Sequence, residues 1–240
     1  DTTFTFRGRP VKGSALRETI RAEMHDRLLG PAAPYNLKAA NGVSCTTVTV
    51  GAAALGIRDL ARLTEAQRRD IQRAHLLLAL YNAMQPGVFA LSAWELVGAL
   101  TLSGDSVKPL IAHGDTRWIN RGAHDLMGVN PDAERSESGI PRGHSLYGSL
   151  PVQLQDSTSF ARRLARIIDV RNRFGIATAV QLDVPTVSHK GLLVMVHELA
   201  DASLEVTVLN FTSEEIAATV QSQFLPAGSP AVNLFTDEQI

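Results

Sequence analysis

Hydrophobic positions at helical spacing predict a first helix near the start of the chain. Ser14 can accept a hydrogen bond from a free backbone N–H group and so cap this helix. Apolar side chains then recur at every fourth position, and they are Leu16, Ile20, Met24 and Leu28. Gly30 and Pro31 predict its end. The remainder of residues 1–63 mixes short apolar runs with Pro and Gly, which indicates a segment inserted into a regular fold rather than one of its regular elements.

A capping box at residues 64–67 gives the strongest local signal in the chain. Thr64 can accept from a free helix N–H group, and Gln67 can reach back to the backbone N–H of Thr64. The helix that follows is polar in its first half and apolar nearly all round in its second half. This pattern predicts deep burial of the second half. Residues 85–87, Gln-Pro-Gly, then break the helix.

The residues after this break predict a buried strand. Residues 88–91, Val-Phe-Ala-Leu, are apolar without alternation, which is typical of a strand covered on both faces. A capped helix, a tight break and such a strand together predict half of a parallel α/β unit. A parallel strand needs neighbouring strands, and this part of the chain supplies one candidate only. The predicted sheet is therefore incomplete.

The last part of the chain changes from helix to short strands. Asp156 or Ser157 can cap a helix that ends at Gly175. One side of this helix is formed by Phe160, Leu164, Ile167, Ile168 and Arg171. Four β-rich runs with turn signals between them follow at a spacing of about 10–12 residues, and they are residues 179–184, 192–197, 204–209 and 216–220. This texture predicts an antiparallel β-sandwich that begins near residue 176.

Composition and charge narrow the class of protein. With 45% hydrophobic and 20% charged residues, the 240-residue chain has the composition of an ordinary globular protein. Its formal net charge of −1 argues against nucleic acid or an anionic membrane as the main partner. No apolar run approaches the ~20 residues of a membrane helix. The single cysteine, Cys45, excludes an internal disulfide and fits a reducing compartment, so we expect a cytoplasmic protein.

Three segments resemble the α-amylase family, glycoside hydrolase family 13. They are residues 81–92 (YNAMQPGVFALS), 114–122 (GDTRWINRG) and 145–150 (SLYGSL). Within that family they are similar to the trehalose synthase branch, whose members are maltose α-D-glucosyltransferases. At Ala93 and Glu95 the resemblance leads us to expect Gly and Asp. The extra methylene of Glu95 would move its carboxylate by about one carbon–carbon bond length.

The resemblance implies a fold of the α/β plus β class. The chain would be the C-terminal portion of a (β/α)8 barrel, followed by an antiparallel β-sandwich. Residues 1–63 would be an insertion or lid-like segment after barrel strand 7. Residues 64–175 would supply helix 7, strand 8 and helix 8, and residues 176–240 the β-sandwich domain.

The resemblance also implies an activity, the isomerisation of maltose to trehalose. In such retaining enzymes an Asp attacks the anomeric carbon, a Glu protonates the leaving oxygen, and a third carboxylate supports the transition state. These carboxylates follow strands 4, 5 and 7 of the barrel, and the Asn-His-Asp signature of the third is absent here. We therefore assign no catalytic residue to this chain and expect them upstream of it. The isolated chain should be inactive without the N-terminal barrel segment as its partner.

Two groups of residues are candidate contacts for a disaccharide of the maltose or trehalose type. Sugar sites pair aromatic rings with planar hydrogen-bonding groups. Trp94 and Glu95 follow the predicted strand 88–91, at the end of a barrel strand where active sites are built. The second group combines the same residue types, and its members are Asp115, Arg117, Trp118, Asn120 and Arg121. Alternatively, both Trp residues are half-buried loop anchors and Asp115 pairs with Arg117 or Arg121.

Other candidate sites are weaker, and two further functions stay open. We expect Cys45 to be a small core residue rather than a nucleophile. The irregular spacing of His113, His124 and His144 does not predict a metal site, and no cofactor is expected. The alternative functions are a non-catalytic carbohydrate-binding or interaction module that works alone, and part of another amylase-family hydrolase or transferase.

Overall fold

The computed structural model describes residues 1–39 and 42–240, which form two compact units. The first unit consists of Asp1–His75 and Ser92–Gln155. The second consists of Leu76–Leu91 and Asp156–Ile240. The division into an insertion, a barrel part and a sandwich at residues 63 and 175 stays a prediction.

The first unit combines short helices with two hairpins. Strand β1 (Thr3–Phe6) pairs antiparallel with β2 (Arg9–Lys12), and β3 (Leu37–Ala39) pairs antiparallel with β4 (Gly42–Ser44). The α-helices are α1 (Gly13–Leu28), α2 (Thr47–Ala54), the start of α3 (Glu65–Ala83), α4 (Gly104–Ile111) and α5 (Leu150–Gln153). Three 3-10 turns lie between them, at Gly30–Ala32, Ala93–Val97 and Thr116–Asn120.

The first predicted helix is present as α1, but its predicted cap is wrong. Lys12 occupies the N-cap position without a side-chain hydrogen bond. The Ser14 hydroxyl instead donates to Asp1 Oδ2 at 2.5 Å. A local capping pattern competes here with a carboxylate that the hairpin brings next to the helix start.

A small apolar core holds α2 against the first half of α3. Val48, Ala52, Ile57 and Ile71 are buried together. A Cβ atom on Gly51 would lie 3.4 Å from the Cβ of Ala74, so the two helices approach closely at this glycine. This packing fixes the start of α2 and the middle of α3, which carry residues of the site below.

The capping box of α3 is confirmed. The backbone N–H of Gln67 donates to the Thr64 hydroxyl at 3.2 Å, and the backbone N–H of Thr64 donates to Gln67 Oε1 at 2.9 Å. The buried residues of α3 form one stripe, which consists of Ile71, His75, Leu76, Ala79 and Ala83. The prediction that the second half of α3 is deeply buried on all sides is wrong, because Tyr81 is 37% exposed.

The prediction of a doubly buried strand at residues 88–91 is also wrong for the structure described. These residues have no strand conformation, and Val88 is 97% exposed. A short apolar run becomes a strand only where neighbouring backbone accepts and donates hydrogen bonds. Among the described residues no strand lies beside it. Its place in a barrel is therefore a proposal.

The second unit contains the amphipathic helix and three of the four strands that the sequence predicts. In α6 (Phe160–Arg173) the buried side includes Phe160, Leu164 and Ile167. Its cap is Ser159, whose hydroxyl accepts from Arg162 N at 3.3 Å, so Asp156 and Ser157 are wrong as caps. Asp156 instead closes a turn by accepting from the backbone of Thr158.

The strands of the second unit form a small antiparallel sheet. β5 (Val180–Asp183), β7 (Leu192–Glu198) and β8 (Leu204–Asn210) are ordered β5-β7-β8, which confirms three of the four predicted runs. The run 216–220 is largely wrong, because only Val220–Gln221 (β9) pairs, with β6 (Thr186–Val187). The strands described here make one three-stranded sheet and one two-stranded ladder.

A buried arginine anchors the end of α3 within the second unit. Arg171, on α6, is 5% exposed and donates to the carbonyl groups of Ala83, Gln85 and Gly87. These carbonyls lie at and beyond the helix end, where no further helical N–H group can reach them. Arg171 thus stabilises the break that Pro86 makes. In the described part of the chain, no helix is both long and apolar enough to cross a membrane.

Candidate functional site

The Thr116–Asn120 turn holds most of the second predicted group. Asp115 caps it by accepting from Arg117 N at 3.0 Å. Arg117 Nε and Nη2 each donate to the Asp115 carboxylate at 2.7 Å. This bidentate pair lowers the pKa of Asp115 to about 2, so the carboxylate is ionised near neutral pH. The pairing is the one that the alternative sequence interpretation expected.

An open cavity of about 600 Å³ lies between this turn and the β3–β4 hairpin. Its polar lining consists of Ser44, His113, Asp115, Thr116, Arg117 and Asn120. The Ser44 hydroxyl donates to that of Thr116 at 3.0 Å, which ties β4 to the turn. Asn120 Oδ1 is buried and has no hydrogen-bond partner among the described residues.

The other two members of the group belong to the same turn but do not line the cavity. Trp118 is half-buried. Arg121 is exposed, and its backbone N–H donates to Trp118 O at 3.3 Å. The structure therefore brings Asp115, Arg117 and Asn120 together and leaves Trp118 and Arg121 beside them.

Trp94 lies in the Ala93–Val97 turn and faces a histidine that the sequence did not single out for this role. The ring centroids of Trp94 and His124 are 5.9 Å apart, with an interplanar angle of 32°. Both His124 ring nitrogens are buried without a hydrogen-bond partner in the described chain. Burial, and then the charge of Arg142, lower the pKa of His124, which favours a neutral ring. The half-buried indole is thus packed on an uncharged partner.

Glu95 faces the interior of the first unit. It is 8% exposed, and its Oε2 lies 2.7 Å from His75 Nε2. The hydroxyl and the backbone N–H of Thr47, at the start of α2, also hydrogen-bond to it. Burial raises the pKa of Glu95, but the hydrogen bond and charge of His75 and the hydrogen bonds of Thr47 outweigh it. The pKa therefore lies below its usual value.

The contact continues beyond His75 to a tyrosine. His75 Nδ1 lies 3.0 Å from the Tyr147 hydroxyl, and His75 is fully buried. Sequence reasoning missed His75, Thr47 and Tyr147, which lie on other elements than Glu95. Only the 145–150 segment, quoted for its resemblance, drew attention to Tyr147.

Cys45 shows the environment of a structural thiol. Burial first, and then the charge of Glu95, raise its pKa. Its Sγ lies 3.7 Å from Val43 O. A thiol held in its neutral form is a poor nucleophile. In the residues that the structure describes, no three His, Cys, Asp or Glu side chains gather as metal ligands.

No protein-family model matches this chain, and no curated protein matches it. The resemblance to the α-amylase family therefore rests on the three segments in the sequence. Two of these segments contribute residues described above. Residues 114–122 include residues that line the cavity, and residues 145–150 include Tyr147, which contacts His75.

Proposed function

We propose that this chain is part of a retaining α-glucosyl-transferring enzyme that isomerises maltose to trehalose. The resemblance to the α-amylase family suggests the reaction, and the cavity beside the Thr116–Asn120 turn is the observation that carries a sugar-binding role. Its volume of about 600 Å³ falls in the usual range for small-ligand sites. By the same resemblance, the catalytic carboxylates and the rest of the barrel belong to polypeptide upstream of these residues.

The lining of the cavity suits a ligand rich in hydroxyl groups. A sugar hydroxyl can donate and accept at once, so it is matched by neighbouring donors and acceptors. Arg117 uses Nε and one Nη2 proton on Asp115, and its remaining N–H groups are available to a ligand. Asn120 adds a side-chain amide to the lining of the cavity. Trp118 lies outside this lining but in the same turn, and an indole ring suits the C–H face of a pyranose.

In this proposal the chain binds sugar and helps to exclude water, and it does not itself attack the anomeric carbon. A covalent glucosyl intermediate survives only where water is kept away until the acceptor hydroxyl attacks. Trp94, Asp115, Arg117, Trp118, Asn120 and Arg121 are the proposed contacts. Glu95 is left out, because its buried carboxylate is already hydrogen-bonded to His75 and Thr47.

A non-catalytic carbohydrate-binding module is the second candidate. One observation favours it: every described residue that lines the cavity belongs to the first unit of this chain. A hydrolase or another transferase of the amylase family would use the same contacts, and the product profile of the enzyme with its catalytic part would separate these activities.

Calorimetric titration of the chain with maltose and trehalose tests the shared sugar-binding role. Asn120→Leu keeps the approximate side-chain volume but removes the amide. We expect it to cost about 1 kcal/mol of binding free energy, which weakens sugar binding about fivefold. Arg117→Ala should weaken it further. Arg162→Ala, on the exposed side of α6, is the control and should bind normally. A folded chain that binds neither sugar at millimolar concentration would refute the role.

A further inference from the structure

A buried chain of contacts holds the Ala93–Val97 turn from one side. The Tyr147 hydroxyl lies 3.0 Å from His75 Nδ1, and His75 Nε2 lies 2.7 Å from Glu95 Oε2. All three belong to the first unit. Each ring nitrogen of His75 thus has a polar neighbour, the tyrosine hydroxyl at 3.0 Å and the carboxylate oxygen at 2.7 Å. The three side chains are linked in one buried series.

The same tyrosine holds the turn through its backbone and its ring. Tyr147 N donates to Val97 O at 3.1 Å, and Leu146 N donates to Gly98 O at 3.0 Å. Gly98 has φ +63°, and a Cβ atom there would lie 2.6 Å from Tyr147 Cδ2. The ring therefore rests directly on the backbone that ends the turn. Gln153 completes the clamp by donating to Leu96 O at 2.8 Å.

We propose that Glu95, His75 and Tyr147 are positioning residues that fix the orientation of Trp94. Trp94 precedes Glu95 in the turn, so a fixed carboxylate fixes the backbone from which the indole projects. His124 then supports the ring, at a centroid distance of 5.9 Å. The inference deepens the proposed function, on which it rests, because Trp94 is one of the proposed sugar contacts.

A purely structural role is a poor explanation for these groups. Removing a carboxylate and an imidazole from water is costly, and apolar residues of similar volume often stabilise a core as well or better. What such polar contacts add is a defined geometry, because each hydrogen bond has a preferred direction. Apolar packing would suffice for a turn that needs only stability. A turn that must present a ring in one orientation needs contacts such as those among Glu95, His75 and Tyr147.

Trp94 can be observed alone, because the chain has only two tryptophans. In a Trp118→Phe background, acrylamide quenching measures the accessibility of the Trp94 ring. We expect Glu95→Leu and His75→Leu to raise the quenching constant at least twofold. His75→Gln, which keeps a donor and an acceptor, should restore most of the protection. The control Ile57→Val removes one buried methylene elsewhere in the unit and should lower the melting temperature without raising the constant.

The outcomes separate this inference from the proposed function, because quenching requires no sugar. An unchanged constant in folded Glu95→Leu, or an equal rise in Ile57→Val, would overturn the inference. If Glu95→Leu fails to fold, Tyr147→Phe decides, because it removes one hydroxyl only; a raised constant supports the inference and an unchanged one overturns it. Absence of maltose binding in the wild-type chain refutes the proposed function while leaving the quenching result valid.

Discussion

Replacing Arg171 tests how strongly a single buried side chain stabilises the second unit. In Arg171→Leu, the carbonyl groups of Ala83, Gln85 and Gly87 lose their charged donor. A hydrogen bond from a charged group contributes about 1.5–3 kcal/mol, but the three share one guanidinium and are not additive. Leucine recovers some apolar packing in the buried site. We therefore expect a loss of about 3–5 kcal/mol, as when one partner of a buried polar pair is removed.

Urea unfolding followed by circular dichroism measures this loss, and amide hydrogen exchange locates it. Exchange should accelerate in α6 and in residues 84–87, which Arg171 joins. Arg171→Lys should recover only part of the stability, because an ammonium group lacks the planar fork that reaches several carbonyls. The control Arg162→Leu changes an exposed residue of the same helix and should stay within about 0.5 kcal/mol of wild type. A loss below about 1 kcal/mol in Arg171→Leu would refute the reasoning.

Three further predictions concern the first unit. The pKa of Glu95 is lowered in the folded state, so its contribution to stability is present above the ordinary value of 4.5 and is lost as pH falls through the folded-state pKa. The free energy of unfolding of Glu95→Gln should therefore depend less steeply on pH in this acid range. An unchanged slope would contradict the assignment. Gly98→Ala should lose about 2 kcal/mol or more, because strain at φ +63° adds to overlap with Tyr147. Gly139 has φ +78°, and a Cβ atom there would have no neighbour within 4 Å, so Gly139→Ala should show the cost of backbone strain alone. If Gly98→Ala and Gly139→Ala lost equal free energies of unfolding in urea, overlap with Tyr147 would be excluded. If the proposed function holds, Arg121→Ala in the enzyme that contains this chain should reduce trehalose formation more than it reduces the melting temperature. The reverse order would argue for a structural role.

Features that depend on neighbouring residues were predictable from the sequence. The capping box of α3 joins Thr64 and Gln67, and the apolar side of α6 repeats within one helix. The pair of Asp115 and Arg117 spans two positions and was one of the two interpretations. Each needs only local chain geometry, which side-chain spacing reports directly.

Features that depend on distant partners were not predictable. Residues 88–91 have the composition of a buried strand, yet a strand forms only where other strands pair with it. Ser14 has the chemistry of a cap, but Asp1 engages it. Glu95 follows Trp94 and looked like a sugar contact, and no pattern in the sequence links it to His75 or Tyr147. A hydrophobic or capping pattern cannot show which distant side chain satisfies a polar group.

The two buried charged residues discussed above explain why such polar contacts lie where the chain is least regular. Arg171 holds residues just after a helix end, and Glu95 holds a 3-10 turn, so neither segment has a full set of helical or sheet hydrogen bonds. Apolar packing is non-directional and would leave several conformations of such a segment close in energy. A charged side chain with directed hydrogen bonds favours one conformation, and a wrong conformation leaves a buried charge unpaired. Glu95→Leu removes one partner of a buried polar pair, so we expect it to lose stability and also to broaden the range of Trp94 orientations. A variant that lost stability but kept a single orientation would show that directionality is not what Glu95 contributes.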